Sequence, residues 1–140
     1  VRRPAAPIRL LVHEEPDVSV ARVRVRELAR RERFSEGRAG ALTTAVSEIA
    51  QNIVVHAGAG ELSLTVIEER GRRGILVVAR DPHPGIANVD EAMRDGYSTS
   101  GGLGLGLSSA KRLVDEFTLA SAPGEGTTIT MKKWRDAPDE

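Results

Sequence analysis

The stretch from Ala41 to His56 (ALTTAVSEIAQNIVVH) constrains the fold of this chain more than any other. Leu42, Ala45, Val46, Ile49 and Ile53 recur at the i, i+3/i+4, i+7 spacing of a helix with one apolar stripe. Such a stripe is stable in water only against another element, so the rest of the chain must supply a partner layer. The segment stops at Ala57-Gly58-Ala59-Gly60, where glycine can take the left-handed conformation that ends a helix.

The partner layer is legible on both sides of it. Ile8 to His13 reads as a short first strand, and Pro16 marks the start of an earlier helix. That helix is expected from about Val18 to Arg33, with Val20, Val23, Leu28 and Phe34 facing inward, and Gly37 and Gly40 punctuate the chain after it. Leu62 to Glu68 and Ile75 to Arg80 read as strands joined by a hairpin loop at Arg70 to Gly74. A further helix is expected over Leu107 to Glu116, then two strands, Phe117 to Ala122 and Thr127 to Trp134, around a Pro123-Gly124-Glu125-Gly126 turn. Between the two strand groups, Asp81 to Gly106 is rich in Pro, Gly, Asp and Ser, broken by a short helical piece near Val89 to Arg94. A connection that long inside a compact domain is either functional or unstructured.

Helices come first, then strands, then a loop and helix, then a closing hairpin. The expectation is an α+β fold of one domain over residues 1–140, a two-layer sandwich with the helices on one face of a mixed sheet. With one Trp, one Tyr and two Phe, the core must rest on Val, Ile, Leu and Ala. The absence of cysteine removes disulfides, Cys-ligated zinc and thiol nucleophiles. Twenty basic and twenty acidic residues cancel, which gives no electrostatic footprint for nucleic acid. Arg22, Arg24, Arg26, Arg30, Arg31 and Arg33 nonetheless crowd one segment, either a solvated helix face or a docking surface for an acidic partner. No apolar run approaches the ~18–20 residues that span a bilayer and no signal-peptide pattern opens the chain, so a soluble protein without membrane contact is expected.

Three motifs carry chemistry. In Glu48-Ile49-Ala50-Gln51-Asn52, the first and last side chains lie roughly 40° apart on the helix and flank its apolar stripe. There a carboxylate can act as a base and an amide oxygen can ligate a hard cation, which suits nucleotide chemistry. Asp81-Pro82-His83-Pro84-Gly85-Ile86 directly succeeds a strand; the acid can accept a hydrogen bond from a base amino group and Gly85 allows close backbone approach. Gly101-Gly102-Leu103-Gly104-Leu105-Gly106 runs straight into a helix, whose N-terminal amides favour phosphate. The Walker loop fails because Leu107-Ser108 comes after Gly106, the dinucleotide fingerprint has the wrong spacing, and a Gly-x-Ser-x-Gly elbow is missing. His13, His56 and His83 are scattered without metal-ligand spacing.

In this order, the motifs resemble the Bergerat ATP-binding fold of the gyrase, Hsp90, histidine-kinase and MutL type. Glu48 to Asn52 matches its N box, Asp81 to Gly85 its first glycine box, Gly101 to Gly106 the second, and Gly126-Thr127-Thr128 the final Gly-Thr element. The resemblance covers about residues 8 to 134 and implies a mixed, mostly antiparallel sheet under about three helices. The stretches Asp95 to Gly106 and Lys111 to Phe117 look most like the stressosome switch serine/threonine kinases and anti-sigma factor kinases.

That resemblance implies ATP and Mg²⁺ as cofactors. By position, Glu48 would be the general base on the substrate hydroxyl, and Asn52 would coordinate Mg²⁺ bridging the phosphates. Asp81, supported by Thr127, would read the adenine amino group beside Gly85 and Ile86. Gly101, Gly102, Leu103, Gly104, Leu105 and Gly106 would hold the β- and γ-phosphates. His83 departs from the family, which usually has glycine two residues after the adenine-reading Asp; Gln51 is also less usual before the Asn. The implied activity is transfer of the ATP γ-phosphate to Ser or Thr of a STAS-domain partner in a bacterial stress or sigma-factor partner-switching pathway. Some such kinases also bind a PP2C-type phosphatase; a cytoplasmic location fits, and a homodimer is compatible. The alternative is a non-catalytic module whose docking to a phosphatase or sigma factor is controlled by ATP. A two-component histidine kinase domain is a third reading, in which the N box usually differs.

Overall fold

The computed structural model describes residues 6–82, 107–122 and 124–136. The helical piece expected near Val89 to Arg94 lies outside the described residues, as do His83, Gly85, Ile86 and the run from Gly101 to Gly106. The described elements are β1 (Ile8–Val12), α1 (Glu15–Arg31), α2 (Glu36–Asn52), β2 (Gly60–Glu69), β3 (Arg72–Asp81), α3 (Leu107–Leu113), β4 (Glu116–Ser121) and β5 (Thr127–Trp134). A π-helical turn, Ile53–Ala57, continues α2.

The sheet runs β1-β2-β3-β5-β4. Among the described residues every neighbouring pair is antiparallel, whereas the resemblance implies a mixed, mostly antiparallel sheet. Because strand side chains alternate between faces, the register lines up inward residues in rows across the sheet. One row reads Leu10, Leu62, Ala79, Ile129 and Leu119; the next reads Ile8, Leu64, Val77, Met131 and Phe117. The helices cover these rows. From α1 come Val18, Ala21, Val25, Leu28 and Ala29, and from α2 Ala39, Leu42, Ala45, Val46, Ile49 and Ala50. Each large aliphatic side chain buried in this way stabilises the fold by about 1.5–3 kcal/mol.

Two inward expectations fail. Val20 and Val23 are 49% and 56% exposed, whereas Leu28 and Phe34 are buried as expected. The stripe that α1 uses runs through Ala21 and Ala29, whose small side chains let it approach α2 closely, and Val20 and Val23 fall on its far side. The boundaries shift as well. Gly37 and Gly40 lie inside α2 rather than before it, because Ser35 caps the helix by accepting the Arg38 N–H at 3.2 Å. Regular helix ends at Asn52 and not at His56. The consecutive β-branched residues Ile53, Val54 and Val55 crowd a helical turn, and the chain widens until the Gly58 N–H closes on the Ile53 carbonyl at 2.8 Å.

The start of α1 gives a pH signature. The Asp17 carboxylate accepts the backbone N–H groups of Glu14 and His13, each at 2.9 Å, and these bonds hold it below its ordinary value of 3.8. A depressed folded-state value means stability that is present above pH 3.8 and lost as pH falls through the lower value. Asp17→Asn, which cannot ionise, is expected to flatten that part of the acid-unfolding curve monitored by circular dichroism.

Candidate functional site

The inward face of the sheet changes chemistry at one end. One step beyond the Leu62–Ala79 row, the alternation brings up Val12 and Gly60 on one side and Asp81, Thr127 and Ser121 on the other. Asp81 pairs with Thr127 across β3 and β5, and Thr127 pairs with Ser121 across β5 and β4. The Thr127 and Ser121 hydroxyls are 2.9 Å apart, and the Ser121 hydroxyl donates to the Gly126 carbonyl at 3.2 Å. An apolar face therefore ends in a row of hydrogen-bonding side chains.

The C-terminal end of α2 is seated on this row. A Cβ at Gly60 would come 2.7 Å from the Arg80 carbonyl oxygen and 2.9 Å from Ile53 Cγ2. The missing side chain lets the residue after Asn52 rest beside the residue before Asp81. Two motifs far apart in the sequence thus share one end of the sandwich. Glu48 and Asn52 are both half-buried there, one helical turn apart.

Asn52 is unusual among the described residues. Its Nδ2 is buried and has no hydrogen-bond partner. Leaving such a group unsatisfied costs about 1–3 kcal/mol, and an amide can present either its nitrogen or its oxygen at that place. A residue kept at that cost fits a ligand that arrives from outside, bringing an acceptor for the nitrogen or a cation for the oxygen.

Gly126 immediately precedes β5 with φ of +78°, and an added Cβ would collide with the Asp81 carbonyl oxygen. Gly126→Ala is expected to destabilise the fold by about 1–3 kcal/mol in a denaturant melt, since the overpacked atom is backbone and cannot swing away.

Of the residues expected at the site, Glu48, Asn52, Asp81 and Thr127 are brought to this end; the others lie outside the described residues. Gly60 and Ser121 carry no motif signal. Their signal is the strand register, which aligns them with Asp81 and Thr127 once the pairing is known.

Comparison with known proteins agrees on the family. The model of the histidine kinase-like ATPase domain matches residues 12–133. The serine/threonine-protein kinase RsbT of Bacillus subtilis is 44% identical over 120 residues, covering 86% of this chain and 90% of that protein. The anti-sigma F factor of Geobacillus thermodenitrificans is 31% identical over 99 residues, 66% of each chain. Among solved structures, the RsbU and RsbW domains of a Mycobacterium tuberculosis protein superpose with a TM-score of 0.63 at 20% identity, covering 99% of this chain and 35% of that one. The SiaB–SiaC complex from Pseudomonas aeruginosa gives 0.55 at 15% identity, covering 94% and 91%. At such identities the two structures speak to the fold alone.

Proposed function

The chain belongs to the histidine kinase-like ATPase domain family, and from that premise we infer that it is an ATP-dependent serine/threonine protein kinase of the partner-switching type. The observation that carries the reading furthest is on α2: a half-buried carboxylate, Glu48, stands one turn before Asn52, whose Nδ2 is buried and has no hydrogen-bond partner. ATP binding by itself does not call for a base at Glu48, whereas transfer to a hydroxyl does.

In this reading Glu48 takes the proton of the substrate Ser or Thr. The Asn52 amide would hold Mg²⁺ through its oxygen, and the bound cation would supply charge neutralisation for the transferred phosphate. Asp81 accepts from the adenine amino group, and Thr127, paired beside it, orients the carboxylate. Gly85, Ile86 and the run Gly101 to Gly106 belong to the same proposal through their match to the glycine boxes. Phosphoryl transfer depends chiefly on positioning and electrostatics, so these few groups suffice as the reacting set.

The substrate we propose is a STAS-domain protein, phosphorylated on Ser or Thr in the cytoplasm. The outer face of α1 suits its docking. Val20 and Val23 are exposed there, beside a groove of about 260 Å³ lined by Ser19, Arg22, Val23, Arg26 and Thr43. Among the described residues, Arg22, Arg24 and Arg26 take part in no ion pair, so the face offers cations and apolar contact together to an acidic surface. The double variant Arg22→Glu/Arg26→Glu is expected to weaken partner binding by roughly 10-fold or more in calorimetry while Mg–ADP binding is unchanged. The kinase reading itself is tested by incubating the chain with ATP, Mg²⁺ and purified STAS proteins and locating phosphate by mass spectrometry. Bound nucleotide without transfer to any of them would favour the non-catalytic module instead.

A further inference from the structure

The inward face of β4 carries Phe117, Leu119 and Ser121, and the first two pack against the core. Alternation would call for a third apolar residue where Ser121 stands. A hydroxyl takes its place at the end of the strand, half-buried and directly opposite Thr127. The row that it completes is the one that holds Asp81.

Hydrogen counting fixes the polarity of this row. A serine hydroxyl has one hydrogen and two lone pairs. Ser121 donates to the Gly126 carbonyl at 3.2 Å, and the Ser121 and Thr127 oxygens are 2.9 Å apart. With the Ser121 hydrogen on that carbonyl, the shorter contact is a hydrogen bond only if Thr127 donates. Thr127 then has lone pairs alone to offer beyond Ser121. Its cross-strand neighbour Asp81, when ionised, is likewise an acceptor only. The backbone beneath the pair is tightly set. Gly126, at φ of +78°, lies against the Asp81 carbonyl, and the Glu125 N–H closes the turn on the Ala122 carbonyl at 2.9 Å. Ser121 is thus bonded both to the turn and to the side chain that the turn delivers beside Asp81.

We propose that Ser121 is a positioning residue that sets which bases the site accepts. By taking the Thr127 hydrogen it makes Asp81 and Thr127 a row of acceptors. Adenine suits such a row, since its exocyclic amino group brings two N–H donors. Hypoxanthine brings a carbonyl oxygen at the same ring position, acceptor against acceptor, and the row rejects it. The inference rests on the nucleotide reading above, in which Asp81 and Thr127 meet the base, and adds to it the residue that directs the Thr127 hydrogen.

The test titrates the full chain, wild type and Ser121→Ala, with Mg–ADP and with Mg–IDP, its hypoxanthine counterpart. Wild type is expected to bind Mg–IDP about 10-fold or more weakly than Mg–ADP. Alanine releases the Thr127 hydrogen for donation to the base carbonyl. The Mg–IDP Kd should therefore fall by about 10-fold, while that for Mg–ADP moves by less than about 3-fold. Merely structural damage would weaken both nucleotides, so a gain in Mg–IDP binding separates the two roles. Ser121→Thr, which keeps the hydroxyl, should keep the wild-type preference. If alanine lowers the melting temperature, Ser121→Cys, of similar size and a weak acceptor, should give the same gain. An Mg–IDP affinity that is unchanged or weaker in these variants overturns the proposal, as does a threonine variant that behaves like alanine. If wild type fails to bind Mg–ADP, the kinase reading falls; if it binds Mg–ADP and Mg–IDP equally well, this inference alone falls.

Discussion

Glu48→Gln is expected to lower phosphoryl transfer by roughly 10²- to 10⁴-fold while leaving nucleotide affinity nearly as it was. Glutamine keeps the volume and the half-buried setting on α2 but cannot accept the substrate proton. The loss should appear in kcat with little change in the Kd for Mg–ADP, since an interaction made in the transition state is removed and ground-state binding is not. Single-turnover transfer and equilibrium titration, run on the same preparation, separate the two. A matching loss in both would make Glu48 a binding residue.

Asn52→Leu is expected to do the opposite. The orphaned Nδ2 is a cost to the free fold, so an apolar residue of similar shape should hold or raise stability by on the order of 1 kcal/mol. Nucleotide binding should fall on the order of 100-fold or more, because a cation ligand and a charge-assisted hydrogen bond are lost together. A more stable protein that no longer binds is the signature of a residue retained for function at the expense of the fold. A melt in the absence of nucleotide and a calorimetric titration with Mg–ATP check both halves. An Asn52→Leu protein that binds normally would place the phosphates elsewhere.

Much of this architecture is legible from residue pattern. The apolar stripe of α2 contains Leu42, Ala45, Val46 and Ile49 as the periodicity predicts, and β5 spans Thr127–Trp134 with the expected limits. The errors have local causes. On α1, valines at positions 20 and 23 look more core-like than alanines at 21 and 29, yet close helix packing favours the small residues. Glycine at positions 37 and 40 looks like an interruption but is none, because intrinsic propensity is a weak force beside burial of Ala39 and Leu42. At the site, Glu48, Asn52, Asp81 and Thr127 carry motif signals, whereas Gly60 and Ser121 do not. Their place depends on strand register, a long-range property that a local pattern does not contain.

The most direct test of the central claim tracks labelled γ-phosphate from ATP to purified STAS-domain proteins in the presence of Mg²⁺, with wild type and Glu48→Gln in parallel. The account predicts label on Ser or Thr of one such protein with wild type, and almost none with the variant although it still binds nucleotide. Equal labelling by both, or tight nucleotide binding by wild type with no transfer to any STAS protein, would contradict it.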